Sequence, residues 1–158
     1  MKKLSALLLM LAVLRAGAQT PAAVIPDFEF SKPDGSVFKK GNLTAGKQRF
    51  FVFFDTGCDH CQHAITFLDG HLAELVPAAV YLVTADPQPA AGTFLAKYGP
   101  RLLKSKNIQL LFDTKNHFIT RFTPRKYPSL MLYSKDSKLV LYDDDEKKLP
   151  VFLSKIRK

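Results

Sequence analysis

The sequence predicts an α/β domain: a central mixed β-sheet flanked by helices, with a β-hairpin extension at its N-terminal side. Continuous apolar runs of strand length recur at 48–55, 79–84 and 108–112, separated by segments of helical character. That is the pattern of parallel strands buried on both faces. Two further strand-like runs, Ser129 to Tyr133 and Leu139 to Tyr142, flank the turn Lys135-Asp136-Ser137-Lys138. They close the chain as an antiparallel hairpin and make the sheet mixed.

The first residues stand apart from that fold. Lys2 and Lys3 give a positive start, Leu4 to Leu14 an apolar stretch, and Ala16-Gly17-Ala18 a small-residue cleavage site, the layout of a secretory signal peptide. The apolar stretch is well short of the roughly 20 residues that span a bilayer. Residues 1–18 are therefore expected to be cleaved, 19–25 to be a flexible lead-in, and 26–158 to form the domain. No stable membrane insertion is expected after cleavage.

Pro26-Asp27-Phe28-Glu29-Phe30 alternates apolar and polar residues, and Pro33-Asp34-Gly35-Ser36 turns it toward Val37-Phe38, so a hairpin is expected. The aromatic run 48–55 reads as a fully buried strand. From Cys58, a helix places Ala64, Ile65, Leu68, Leu72 and Leu75 on one face, and Gly70 is positioned to kink or split it. Asp86-Pro87-Gln88-Pro89 ends the second buried strand, and Phe94 to Lys104 is helical in two pieces divided by Gly99-Pro100. Asp113 can cap a helix reaching Phe122 with Phe118, Ile119 and Phe122 inward. A final helix covers Leu149 to Ile156.

Charge excludes one class of function. The formal net charge is +9, with 23 basic and 14 acidic residues. Loss of Lys2, Lys3 and Arg15 with the leader leaves 20 against 14, or +6. That excess is spread over Lys97 to Lys106, Arg121 to Lys126 and the tail, without an arginine-rich arm or aromatic–basic motif, so a solvated basic surface is expected and nucleic-acid binding is not.

Both cysteines of the chain lie in Cys58-Asp59-His60-Cys61, at the junction of a buried strand and a helix. A helix N-terminus offers unpaired N–H groups and the positive end of the dipole, which favour a thiolate at the first cysteine. The second sulfur, one turn on, can close a small disulfide ring with it. So short a ring stabilises little, which favours a redox role over a structural one. Cys58 is the candidate attacking thiol and Cys61 the resolving thiol. Of the residues between, His60 favours the thiolate when protonated, and Asp59 opposes it as a like charge.

The order strand, Cys-x-x-Cys, helix, strand, helix, then Tyr127-Pro128 opening a hairpin and a last helix, resembles the thioredoxin superfamily. The lead-in 26–30, Asp34-Gly35 and the extra strand and helix between Ala79 and Phe122 are similar to its exported thiol–disulfide oxidoreductases and peroxiredoxin-related branch. The resemblance implies a periplasmic enzyme without a bound cofactor, whose redox-active disulfide Cys58–Cys61 exchanges with cysteine-containing protein substrates and with a redox partner protein. It also implies a monomer. In that family a cis-proline faces the cysteines, and the residue before it offers backbone groups to substrate; Pro128 and Tyr127 occupy those places. His60 matches a histidine found before the second cysteine of strongly oxidising members. With Asp59 opposing it, an intermediate potential is expected.

The chain departs from the pattern in places. Val52 stands where thioredoxins keep a buried carboxylate six residues before the first cysteine, leaving Asp55, Asp59 or water to accept the proton of Cys61. Gly57 replaces the usual tryptophan. Phe51 and Asp55 stand where a peroxidase needs proline and threonine, so peroxidase activity is not expected. The alternative functions are a copper-binding metallochaperone, using Cys58, Cys61, His60 and His63 with His117 as a distant candidate, and a non-catalytic binding module. Soft thiolates with imidazole suit copper(I) or zinc.

Overall fold

A computed structural model describes residues 20–156. The leader expected at 1–18 lies outside the described residues. The core is a seven-stranded sheet in the order β2-β1-β5-β4-β3-β6-β7, built from β1 (Glu29–Ser31), β2 (Val37–Lys39), β3 (Arg49–Phe53), β4 (Ala79–Thr84), β5 (Ile108–Phe112), β6 (Ser129–Tyr133) and β7 (Leu139–Asp143). Strands β3, β4 and β5 run parallel, whereas β1, β2, β6 and β7 join by antiparallel pairing. The expected mixed sheet is the one observed.

Every residue of β3, β4 and β6 is buried, which explains the apolar runs that fill them, with Arg49, Thr84 and Ser129 the polar residues at their ends. Successive side chains alternate between the two faces of the sheet. Phe50, Val52, Val80, Leu82, Leu130 and Leu132 meet the helices α1 (Asp59–Gly70), α3 (Gln88–Tyr98) and α4 (Leu149–Ile156). Phe51, Phe53, Tyr81, Val83, Met131 and Tyr133 meet a second layer rich in phenylalanine, supplied by Phe28, Phe30, Phe38, Phe118 and Phe122.

Four local outcomes differ from the sequence reading or refine it. Residues 20–25, expected as a flexible lead-in, are docked. Ala22 N–H donates to the Phe122 carbonyl at 3.0 Å, Ile25 N–H to that of Ser137 at 2.9 Å, and Leu139 N–H to that of Ala23 at 2.8 Å. Ile25 is fully buried. An apolar anchor and a strand edge in need of cover together hold the segment. Helix α3 begins at Gln88, well before the expected Phe94, because a proline in the first helical turn loses no hydrogen bond there.

Residues Phe118–Phe122 form a π-helical turn that buries Phe118 and Phe122 but leaves Ile119 at 55% exposure, against its expected inward position. Asp113 does cap this region: its two carboxylate oxygens accept the N–H groups of His117 at 2.8 Å and Phe118 at 2.7 Å. Finally, Gly70 ends α1, and the short α2 (Leu72–Leu75) follows after His71. Beside that break, the buried Asp69 accepts Arg101 N–H at 2.8 Å, Leu102 N–H at 3.1 Å and Arg101 Nε at 2.8 Å. A carboxylate taken out of water needs such partners, and these tie α1 to the chain leaving α3.

Candidate active site

The site forms where β3 hands over to α1. The Phe54 N–H continues the β3–β4 ladder by donating to the Val83 carbonyl at 2.9 Å. Asp55 then turns the chain, its carboxylate accepting Gly57 N–H at 2.7 Å. Asp86, at the far end of β4, accepts Thr56 N–H at 2.7 Å. The loop before the cysteines is thus pinned from its own strand and from the next.

Cys58 is the N-cap of α1, with extended backbone and a sulfur that accepts the Cys61 N–H at 3.3 Å. It therefore fills the role usually taken by serine or aspartate at such a position. The two cysteines are free thiols with different surroundings: Cys58 is half-buried and Cys61 fully buried. Burial pushes the Cys61 thiol well above its ordinary range; a backbone hydrogen bond at Asp55 offsets part of this, and Cys58 and the Asp55 carboxylate add to it. Cys61 is thus held as the protonated partner, with Asp55 close enough to act on it electrostatically. Val52, at the position of the missing buried carboxylate, is apolar core.

Tyr127 flanks this pair. Its half-buried phenol is pushed up to about 12, first by burial and then by the charges of Asp113, Asp55 and Asp86. Its ring lies 5.1 Å from that of Phe118. The Tyr127–Pro128 peptide bond is cis, and Ser129 opens β6 opposite Phe53 with a buried hydroxyl that has no partner among the described residues. Asp59 faces solvent and accepts Gln62 Nε2 at 3.2 Å.

The histidines separate into two kinds. His71 stacks on Phe67 and bonds its carbonyl at 2.7 Å, and His117 Nδ1 accepts Glu29 N–H at 2.8 Å, so both are engaged in holding local structure. His117 is therefore tied to β1 through Nδ1. His60 and His63 instead converge on Glu146, at 3.1 Å and 3.9 Å from the same carboxylate oxygen. Among the described residues these imidazoles gather with a carboxylate, whereas the set weighed as the alternative metal site joined them to the two thiols. Sequence reading missed Glu146, which comes from far along the chain; only its place just before the last helix hinted at it.

Burial alone would raise the Glu146 carboxyl, but the hydrogen bond from His60, a backbone bond within its own turn and the His60 charge outweigh it, leaving the group below its ordinary 4.5. A depressed carboxyl adds stability above its unfolded value and loses it as pH falls through the folded one. The stability gap between wild type and Glu146→Gln is therefore expected to be widest near pH 6 and to close toward pH 3. Urea unfolding in steps across that range measures it, and a gap independent of pH would contradict the assignment.

No protein-family model matches the sequence, and no curated protein matches it. Solved structures do. The chain superposes with a TM-score of 0.70 on a candidate thiol:disulfide interchange protein DsbE from Chlorobium tepidum, at 17% identity, covering 89% of this chain and 100% of that one. The thioredoxin domain of a Bacteroides vulgatus thiol-disulfide oxidoreductase gives 0.67 at 17% identity, covering 88% and 99%. MTB dsbF gives 0.67 at 20% identity, covering 87% and 99%. The chain has the thioredoxin fold. On that fold, Cys58 and Cys61 lie at the strand-to-helix junction and Tyr127–Pro128 precedes the antiparallel strand beside it.

Proposed function

We propose that the protein is a periplasmic thiol–disulfide oxidoreductase acting on cysteine-containing proteins. The observation that carries this reading is the asymmetry of the two thiols: one capping a helix at the surface, the other sealed one turn inward. In the reductive direction, the Cys58 thiolate attacks one sulfur of a substrate disulfide. That bond breaks, a substrate thiolate leaves, and a mixed disulfide forms. Cys61 then gives up its proton, for which Asp55 is the nearby acceptor, and its sulfur attacks that of Cys58. The second substrate thiolate departs, and Cys58–Cys61 becomes a disulfide carrying the substrate's oxidation state. Two electrons have moved from the pair to the substrate, and a partner dithiol resets it. Run backwards, the same steps oxidise a substrate dithiol.

Tyr127 and Pro128 are the substrate-positioning residues of this reading, and Asp59 and His60 set the potential. His60 Nδ1 lies 3.1 Å from a Glu146 carboxylate oxygen, so the ring is oriented by that carboxylate. We expect a potential between about −270 mV and about −120 mV, the span of known thioredoxin-fold exchangers. The charged start and small-residue end of 1–18 support export, as does a pair whose disulfide persists outside the cytosol. Among the described residues no helix is long and apolar enough to cross a membrane. The domain is proposed to act as a monomer.

Replacing Cys61 with Ser tests the mechanism. Without the resolving sulfur, mixed disulfides through Cys58 should accumulate and be seen as high-mass adducts on non-reducing gels that collapse with dithiothreitol. A folded variant that forms none would overturn the exchange reading.

A further inference from the structure

We propose that His60, His63 and Glu146 form a binding site for one divalent transition cation of the zinc class. The two imidazoles stand one turn apart on the exposed face of α1, with side chains 68% and 72% exposed. Glu146 faces them from the turn Glu146–Lys148 before α4, with only 11% of its side chain exposed. Their candidate ligand atoms all lie within 4.8 Å of one another. Tetrahedral zinc with bonds of about 2.0–2.1 Å sets its ligand atoms roughly 3.4 Å apart. The 3.1 Å and 3.9 Å separations on Glu146 already bracket that spacing, and the remaining closure falls on two surface side chains free to turn.

The donor set is chemically apt. Two neutral imidazoles and one carboxylate satisfy zinc, with a fourth position left for water, and they suit nickel or copper(II) as well. The carboxylate supplies charge compensation, and its largely covered position fixes one ligand in advance. A cavity of about 220 Å³ opens beside His60 and Glu146, lined also by Lys126, Asp144, Asp145 and Lys147. Lys126 is drawn toward Asp144 at 3.7 Å, so the nearest cations do not all face the ion. The site uses neither thiol, and it stands whether or not the cysteines exchange disulfides.

The test uses the mature chain carrying Cys58→Ser and Cys61→Ser, which removes thiolate competition, titrated with zinc and followed by calorimetry and by NMR of the histidine rings. One equivalent is expected to bind, with the His60 and His63 signals shifting together and those of His71 and His117 unmoved. His63→Ala and Glu146→Gln, made separately in that background, should each weaken binding by at least about tenfold, no less than loss of an outer-shell partner costs elsewhere. Absence of binding at millimolar zinc would overturn the proposal. So would affinity unchanged in both variants, or shifts centred on His71 or His117. Exchange activity is measured on the unsubstituted chain, so failure of that reading and failure of this one are read separately.

Discussion

Cys58→Ser is expected to bring thiol–disulfide exchange down to the uncatalysed background, a loss of at least about a hundredfold, while the domain stays folded. The two halves of that expectation rest on the same geometry. Cys58 caps α1 and its sulfur receives the Cys61 N–H; a serine hydroxyl accepts that bond as well, since serine is among the best N-cap residues. The helix therefore loses nothing. Chemistry loses its nucleophile, because thiol–disulfide exchange proceeds through a thiolate and a serine hydroxyl is not ionised at neutral pH. Cys61 cannot take over: it is fully buried, and burial holds it protonated. Reduction of a disulfide-bonded test protein, driven by dithiothreitol, measures the rate, and the thermal unfolding midpoint checks the fold. If Cys58→Ser kept its activity, the order of attack and resolution would have to be reversed.

The fold was legible because its signals are local and dense. Phe50 to Phe53 and Val80 to Val83 lie in strands buried on both faces, so an unbroken apolar run is the whole message. Cys58 and Cys61 were legible because a strand, a turn and a helix are all written around them within a few residues. What stayed hidden was decided by distant partners. Asp69 reads as a polar residue near a helix end, yet Arg101 and Leu102 bring it N–H donors that make burial tolerable. Glu146 sits in an acidic run that looks like solvated surface, and nothing nearby announces that α1 will bring two imidazoles to it. Ile119 fell outward because the turn at 118–122 winds as a π-helix, a geometry that ordinary helical spacing does not anticipate.

Phe51→Ala is expected to destabilise the domain by about 3–5 kcal/mol, the range for truncating a buried aromatic side chain. Phe51 is fully buried. Its ring lies 5.9 Å from that of Phe28, 5.9 Å from Phe53, 5.0 Å from Tyr81, 5.2 Å from Phe122 and 6.0 Å from Tyr133. Three of those neighbours are fixed by the ladders of β3, β4 and β6, so the wall of the new cavity cannot close in, and the cost falls toward the upper part of the range. Against a total stability of about 5–15 kcal/mol for a domain of this size, that is a large fraction, and it corresponds to a fall in unfolding temperature of roughly 10–20 °C. Phe51→Leu, which keeps most of the volume, should cost well under half as much. Activity offers the contrast: Phe51 faces the layer built from Phe28 and Phe122, whereas α1 packs on the other face. Below its unfolding temperature, the alanine variant should therefore exchange disulfides at close to the wild-type rate. Urea denaturation gives the first quantity and the exchange assay at 15 °C the second. A loss under about 1 kcal/mol would mean that the cluster collapses around the gap, and a cold-stable but inactive variant would mean that the two faces of the sheet are coupled through β3.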